Sequence, residues 1–126
     1  MTGVQTCALP ISLKIYVAIG DKSGEGATLN NIATIYKARG DLPKALEYLE
    51  KSLKIRVEIG DKSGEGTTLN NIALIYKARG DLPKALTYLQ KSLKIQVEIG
   101  DKSGEGTTLG NIGDRKSTRL NSSHRL

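Results

Sequence analysis

A 40-residue repeat is the feature of this sequence that most constrains its fold. Residues 21–60 and 61–100 align without a gap and differ at five positions: Ala27/Thr67, Thr34/Leu74, Glu47/Thr87, Glu50/Gln90 and Arg56/Gln96. Residues 13–20 match the end of the unit and residues 101–113 match its beginning, so we expect an array that is truncated at both ends. Repeats of about 20 to 50 residues usually stack, and each unit buries its apolar face against its neighbours. The sequence therefore predicts two complete stacked repeats and two partial ones.

Within each unit, apolar residues recur at the spacing of two amphipathic helices. Helix A is predicted from an i, i+3, i+4, i+7 stripe that both units share: Leu29, Ile32, Ala33 and Tyr36, and then Leu69, Ile72, Ala73 and Tyr76. Helix B, of roughly 17 residues, is predicted from a longer stripe: Leu42, Ala45, Leu46, Leu49, Leu53 and Val57. The fold predicted from these patterns is all-α and consists of helix-turn-helix units.

Short polar segments mark where these helices start and stop. Gly40 stands where the end of helix A needs a left-handed residue, and Asp41 can cap the first turn of helix B. The G-D-K-S-G-E-G stretch at 60–66 is then a turn that opens the next helix A, with Asp61 or Ser63 as its cap. A phosphate-binding loop is the other interpretation of this stretch. That loop needs its glycines before the Lys-Ser pair and a strand before the glycines, so we do not expect nucleotide binding.

The unit resembles the tetratricopeptide repeat, a helix-turn-helix of about 34 residues with small and aromatic residues at fixed positions. The positions that match are Leu29, Ile32, Ala33, Tyr36, Gly40, Ala45, Leu49 and Val57. HEAT and armadillo repeats have a similar period but lack this order of tyrosine, Gly-Asp turn and alanine. The resemblance covers residues 13–113 and implies a right-handed α-solenoid.

Two departures from the family pattern lie in helix B. Ser52 replaces the usual small apolar residue, and Val57 replaces the closing proline, so helix B should run on and lengthen the unit. The resulting 40-residue form is similar to the repeats of spindle-orientation adaptors and of many bacterial signalling arrays.

In the family that the unit resembles, stacked A helices line a concave groove that holds an extended peptide or a partner helix. The resemblance places in this groove Ala27, Asn30, Asn31, Thr34 and Lys37 of the first unit, Thr67, Asn70, Asn71, Leu74 and Lys77 of the second, and Asn111 of the partial third. We expect Asn31 and Asn71 above all to contact the ligand, because asparagine is unfavourable inside a helix unless its amide has a task. The alternative is that duplication copied solvated asparagines, and that the lysines offset the helix dipole.

Two terminal segments, 1–12 and 114–126, do not resemble the repeats. The codons of the first eleven residues can be written as the reverse complement of those for 114–124: Ile11 as ATC matches Asp114 as GAT, and so on through all eleven. The implied DNA resembles a short-read sequencing adapter. We therefore expect both segments to be artefactual tails, and we set them aside before reasoning about the fold, as is done for fusion scars.

The charge balance changes when these tails are set aside. The whole chain has 19 basic and 13 acidic residues, a net charge of +6 that would suggest a nucleic-acid partner. Residues 12–113 have 15 basic and 12 acidic residues, because residues 114–126 hold four basic and one acidic side chain. A net charge of +3 without a basic stripe beside the tyrosines leads us to expect no nucleic-acid partner. We also expect no membrane partner, since no apolar run approaches the ~20 residues that span a bilayer.

The remaining residues favour protein binding over catalysis. Residues 12–113 have no cysteine or histidine, and we find no nucleophile with a base, metal cluster or paired carboxylates, so we expect no enzyme, metal or cofactor. The absence of cysteine fits a cytoplasmic location. Our leading hypothesis is an interaction scaffold that binds a protein or peptide in the groove. The alternative is a structural spacer or rod within a larger signalling protein, self-associating through uncapped repeat ends.

Overall fold

The computed structural model describes residues 13–15, 17 and 20–124, with side chains as far as residue 113. From residue 22 onwards it consists of α1 (Lys22–Ala38), α2 (Leu42–Glu58), α3 (Lys62–Ala78), α4 (Leu82–Ile99) and α5 (Lys102–His124). Residues 13–15 and 17 are also helical, and the described residues contain no strand. The predicted tail at 1–12 lies outside the described residues, as does the end of the second tail at 125 and 126.

The helices alternate between two roles. α1 and α3 are the A helices of the two complete repeats, and α2 and α4 are their B helices. Each A helix of these repeats packs against the B helix that follows it, and each of the two B helices also contacts the next A helix. The predicted all-α array of stacked helix-turn-helix units is confirmed. α5 begins as a third A helix and continues past the expected repeat boundary at residue 113 to His124.

Aspartate caps and glycine turns set the bounds of these helices. At the start of α3 the cap is Asp61 and not Ser63, because the Asp61 carboxylate accepts a hydrogen bond from the Gly64 backbone N–H at 2.9 Å. A Cβ at position 64 would collide with this carboxylate, which gives the glycine-rich stretch a structural reason. Gly40 ends α1 with a φ of +82°, and the Asp41 N–H donates back to a carbonyl in the last turn of α1. The capping predictions are therefore confirmed.

The core lies between A and B helices and extends across the junction of the two repeats. Within each repeat the tyrosine of helix A stacks on the tyrosine of helix B, and the ring centroids are 5.5 Å apart in both pairs. This packing agrees with the interpretation of the tyrosines as core residues rather than stacking platforms for bases. The buried cluster consists of Ala33, Ala45, Leu49, Ile72, Ile75, Tyr76 and Ala85.

The last residue of the predicted helix B stripe does not face the core. Val57 is 54% exposed and its equivalent Val97 is 56% exposed, whereas Ile55 and Ile95 are buried. Successive helical residues turn by about 100°, so residues two positions apart point to nearly opposite sides. The prediction for Val57 is therefore wrong, and the inward-facing residue of this turn is Ile55.

The serine that departs from the family pattern is completely buried. The Ser52 hydroxyl donates to the Gly26 carbonyl of helix A at 2.7 Å, and Ser92 makes the same contact with Gly66. Both hydroxyls are therefore hydrogen-bonded although water is excluded from them. Ser52 and Ser92 thus fasten helix B to helix A within each repeat.

Candidate peptide-binding groove

Neighbouring A helices are joined by pairs of asparagine side chains. The Nδ2 of Asn71 in α3 donates to the Oδ1 of Asn30 in α1 at 3.1 Å. One repeat later, the Nδ2 of Asn111 in α5 donates to the Oδ1 of Asn70 in α3 at 2.8 Å. We call these two hydrogen bonds the amide ladder. They give Asn30, Asn70, Asn71 and Asn111 a task that requires no ligand, whereas Asn31 takes no part in them.

The amide ladder limits which of the predicted groove asparagines are exposed to a ligand. Asn70, which we expected on the open face, is 7% exposed and lies at the junction with the next A helix. Asn30, Asn71 and Asn111 are half-buried, and Asn31 is exposed. Ligand contact by Asn31 and Asn71 stays a prediction, and for Asn71 it would have to coexist with the bond to Asn30.

The other predicted groove residues differ in burial between the two repeats. Thr34 and Lys37 are exposed on α1, whereas the equivalent Leu74 and Lys77 on α3 are half-buried. In the described structure α3 has an A helix on each side, which accounts for its greater burial. The Thr34 hydroxyl also donates to the Asn30 carbonyl of its own helix at 3.2 Å. The two remaining predicted positions are exposed: Ala27 and Thr67.

An open depression lies beside each hydrogen bond of the amide ladder. The first, of about 130 Å³, lies between α1 and α3 and has Thr34, Lys37 and Asn71 on its rim. The second, of about 30 Å³, has Lys77 and Asn111 on its rim. In each depression, a lysine of one A helix therefore lies on the same rim as an asparagine of the next A helix. The apolar floors are formed by Ala33, Leu49 and Ile75 in the first, and by Leu82, Ala85, Leu86, Leu89 and Ile112 in the second.

Polar contacts between each B helix and the next A helix were not predicted. Arg56 of α2 forms an ion pair with Asp61, the cap of α3, at 2.6 Å. Gln96, the equivalent residue of α4, is 3% exposed, and its Oε1 accepts a hydrogen bond from the Thr108 hydroxyl at 2.6 Å. In the sequence, the one sign of this junction is that the first repeat has Arg56 where the second has Gln96. These contacts hold the repeats together and lie apart from the depressions.

The Asp61 carboxylate is the acidic group most perturbed by this junction. The hydrogen bond from the Gly64 backbone, together with the Arg56 guanidinium, holds the pKa of Asp61 below its ordinary value of 3.8. Partial burial acts in the opposite direction but does not prevail. Asp61 is therefore charged at neutral pH, and its charge is used for capping and pairing.

The described residues define a class of protein before any comparison is made. Their A and B helices alternate and stack with the period of the sequence repeat, which is the arrangement of an α-helical repeat protein. No group of three or more His, Cys, Asp or Glu side chains in the described part of the chain could hold a metal ion. The described helices include none that is long and apolar enough to cross a membrane.

Comparison with known proteins assigns the family. A family model described as tetratricopeptide repeat matches residues 24–96 and, one repeat later, residues 64–121. The chain belongs to the tetratricopeptide repeat family. Such repeats generally mediate protein–protein interactions, and the proteins that contain them are generally non-enzymatic scaffolds.

A solved structure supports the same fold. The chain is similar to the crystal structure of BtubC (BKLC) from P. vanneervenii, with a TM-score of 0.68 and 25% sequence identity. The match covers 79% of this chain and 41% of that chain, so this chain spans less than half the length of its solved relative. Among curated proteins, no sequence matches this chain.

Proposed function

We propose that the chain is a protein-interaction module that binds an extended peptide across the junctions between its A helices. The observation that carries the proposal is an arrangement that recurs with the repeat. Each depression has an apolar floor, a lysine from one A helix and an asparagine from the next. The apolar floor can hold a side chain of the peptide, the amide can pair with its backbone, and the lysine can pair with a carboxylate.

The spacing of the depressions favours an extended ligand. Neighbouring helices pack about 8–10 Å apart, and an extended peptide in the polyproline II conformation has three residues per turn and advances about 3.1 Å per residue. Peptide side chains three positions apart can therefore reach successive depressions. We expect preferred ligands to carry two apolar residues at this spacing, with acidic residues nearby to meet Lys37 and Lys77.

A peptide selection tests this function directly. A random peptide library displayed on phage is selected against the chain, and the enriched peptide is synthesised and titrated by fluorescence anisotropy. We expect Lys37→Ala with Asn71→Ala, which alters the rim of the first depression, to raise the Kd by about tenfold or more, the equivalent of roughly 1.4 kcal/mol. Asn31→Ala, made separately, shows whether that exposed amide also contacts the peptide.

The matched control for this experiment is Lys54→Ala on helix B. Lys54 is an exposed helical lysine like Lys37 but lies outside both depressions, so we expect the Kd to be unchanged. Circular dichroism confirms that each variant remains helical. The proposal fails if the Kd is the same for the rim variant and the parent chain, or if the Lys54 variant alone loses binding.

A second candidate function is a rod that grows end to end. Leu109 on α5 is 49% exposed, whereas the equivalent Leu29 and Leu69 are 4% and 5% exposed beneath their own B helices. An end-to-end contact is heterologous and does not close, so it should produce oligomers of increasing length. Sedimentation over a dilution series supports the rod if such growth occurs and if Leu109→Glu abolishes it. A monomer that binds the selected peptide supports the module instead.

A further inference from the structure

The open face of α5 is one half of an interface that the chain forms completely in each of its two full repeats. A glycine and a leucine of each A helix are buried there: Gly26 and Leu29 in α1, and Gly66 and Leu69 in α3. The equivalent Gly106 of α5 is exposed, and a Cβ at this position would lie in open space. Leu109 is likewise 49% exposed. In the described structure, α5 therefore has a B-helix contact surface without a B helix on it.

The opposite side of α5 is seated as in the complete repeats. Thr108 is fully buried, as its equivalents Thr28 and Thr68 nearly or fully are, and its hydroxyl donates to the Gln96 side chain of α4. The contact with the preceding B helix is thus formed, and only the side that would meet a following B helix is open. Because each unit of a stacked array buries its apolar face against its neighbours, this open side continues an established interface.

The two complete repeats specify which helix fits this surface. Each B helix buries an alanine, a leucine, a serine and an isoleucine at positions i, i+4, i+7 and i+10: Ala45, Leu49, Ser52 and Ile55 in α2, and Ala85, Leu89, Ser92 and Ile95 in α4. Residues at this spacing share one face of a helix. The isoleucine of α2 lies against Gly26, and the neighbouring serine donates to the carbonyl of that glycine. The matching occupant of α5 is an amphipathic helix with the same four residues at this spacing.

The described residues do not supply such a helix. α1 and α3 end at Ala38 and Ala78, whereas α5 continues past the equivalent position 118 to His124, and no B helix follows it within the described chain. A folded second copy does not offer one either, because its B helices already bury their apolar stripes. Ala45 and Leu49 are 0% and 2% exposed beneath α1. The helix therefore has to come from a different polypeptide.

We propose that the open face of α5 docks a single amphipathic helix of a partner protein in the place of a B helix. The docked helix buries Leu109 and brings a serine to the carbonyl of Gly106, which completes the third repeat. Neither residue lines a depression of the peptide-binding groove, so the inference goes beyond the proposed function. The groove peptide and the docked helix can be held at the same time.

A synthetic peptide with the sequence of residues 81–100 is the probe for this site. It is labelled with fluorescein and titrated with the full chain up to about 1 mM, and fluorescence anisotropy should give a Kd below about 100 µM. Leu109→Glu puts an unpaired charge beneath the docked helix and should raise this Kd by about tenfold or more. The matched control is Val57→Glu on α2, where the parent side chain is 54% exposed and lies away from α5, so the Kd should be unchanged.

A second chain variant reports docking without a change of charge. Gly106→Gln improves the helix propensity of α5 and extends into the space that the serine of the probe would occupy. We expect it to weaken binding of the probe while circular dichroism shows that the chain is at least as helical as the parent. Loss of binding by both chain variants with retained helicity supports docking on this face.

The probe itself offers a comparison of two neighbouring β-branched residues. Ile95 is 9% exposed in α4 and Val97 is 56% exposed. If the probe docks as a B helix, Ile95→Glu in the peptide should raise the Kd by about tenfold or more, whereas Val97→Glu should leave it unchanged. The two variant peptides have the same length and charge, so the difference between them reports which side of the helix meets the chain.

Four outcomes would overturn the docking site. They are the absence of saturable binding up to about 1 mM, equal Kd values for Leu109→Glu and Val57→Glu, equal Kd values for the two variant peptides, and oligomers of the chain alone that Leu109→Glu removes. The last of these would assign the face to a second copy. The groove peptide separates the two proposals, because Leu109→Glu should abolish binding of the helical probe and leave the Kd of the groove peptide unchanged.

Discussion

The amide ladder can be tested by removing the same side chain from equivalent positions of the two repeats. Asn71 donates to Asn30 across the junction, whereas Asn31, at the same position of the first repeat, is exposed. We compare Asn71→Ala with Asn31→Ala. Both variants gain the better helix propensity of alanine, roughly 0.5 kcal/mol, and this gain cancels when their stabilities are compared. The difference therefore isolates the hydrogen bond between the A helices.

The expected difference follows from the geometry of that bond. A typical intramolecular hydrogen bond contributes about 0.5–1.5 kcal/mol to stability. Asn30 is half-buried, so water can replace part of the contact when Asn71 is truncated. We expect Asn71→Ala to be less stable than Asn31→Ala by about 1 kcal/mol.

Urea unfolding followed by far-UV circular dichroism measures this difference. With a denaturant slope of about 1–3 kcal/mol per molar, 1 kcal/mol shifts the midpoint by roughly 0.3–1 M. Asn30→Ala and the double variant Asn30→Ala/Asn71→Ala complete a double-mutant cycle, for which we expect a coupling energy near 1 kcal/mol. Equal midpoints for Asn31→Ala and Asn71→Ala, together with zero coupling, would refute the ladder as a stabilising contact.

Two further predictions concern the junctions within and between repeats. Ser52→Ala removes a buried hydroxyl that donates at 2.7 Å and should cost about 1 kcal/mol in the same unfolding assay, whereas the exposed Ser23→Ala should cost almost nothing. Arg56→Gln, which introduces the residue found at Gln96, should raise the pKa of Asp61 as measured by NMR of its carboxyl carbon. Since the pKa of Asp61 is lowered in the folded chain, its contribution to stability is present above 3.8 and is lost as the pH falls through the folded pKa. The parent chain should therefore lose more stability on acidification than Arg56→Gln does, and equal losses would contradict the ion pair.

The sequence alone determined the four helices of the two complete repeats, whereas α5 runs past the boundary expected at residue 113. Asp61 and Gly40 act through hydrogen bonds to backbone groups within a few residues, so their roles can be inferred from local sequence. The core stripes of helix A could be inferred for the same reason, because a helical period states which residues share a face. The repeat of 40 residues then required the same unit to recur and stack.

The tertiary structure decided which neighbour each face meets. Ile35 and Ile75 occupy the same position in almost identical helices, but Ile35 is half-buried and Ile75 is 1% exposed. Likewise, Asn30 and Asn31 are adjacent identical residues, and one enters the amide ladder while the other faces solvent. The contacts that separate them come from residues about 40 positions away, and they depend on the angle at which one repeat packs on the next. The residue pattern along one helix does not specify that angle. Only the folded array therefore showed that a lysine and an asparagine from neighbouring A helices lie at the same depression.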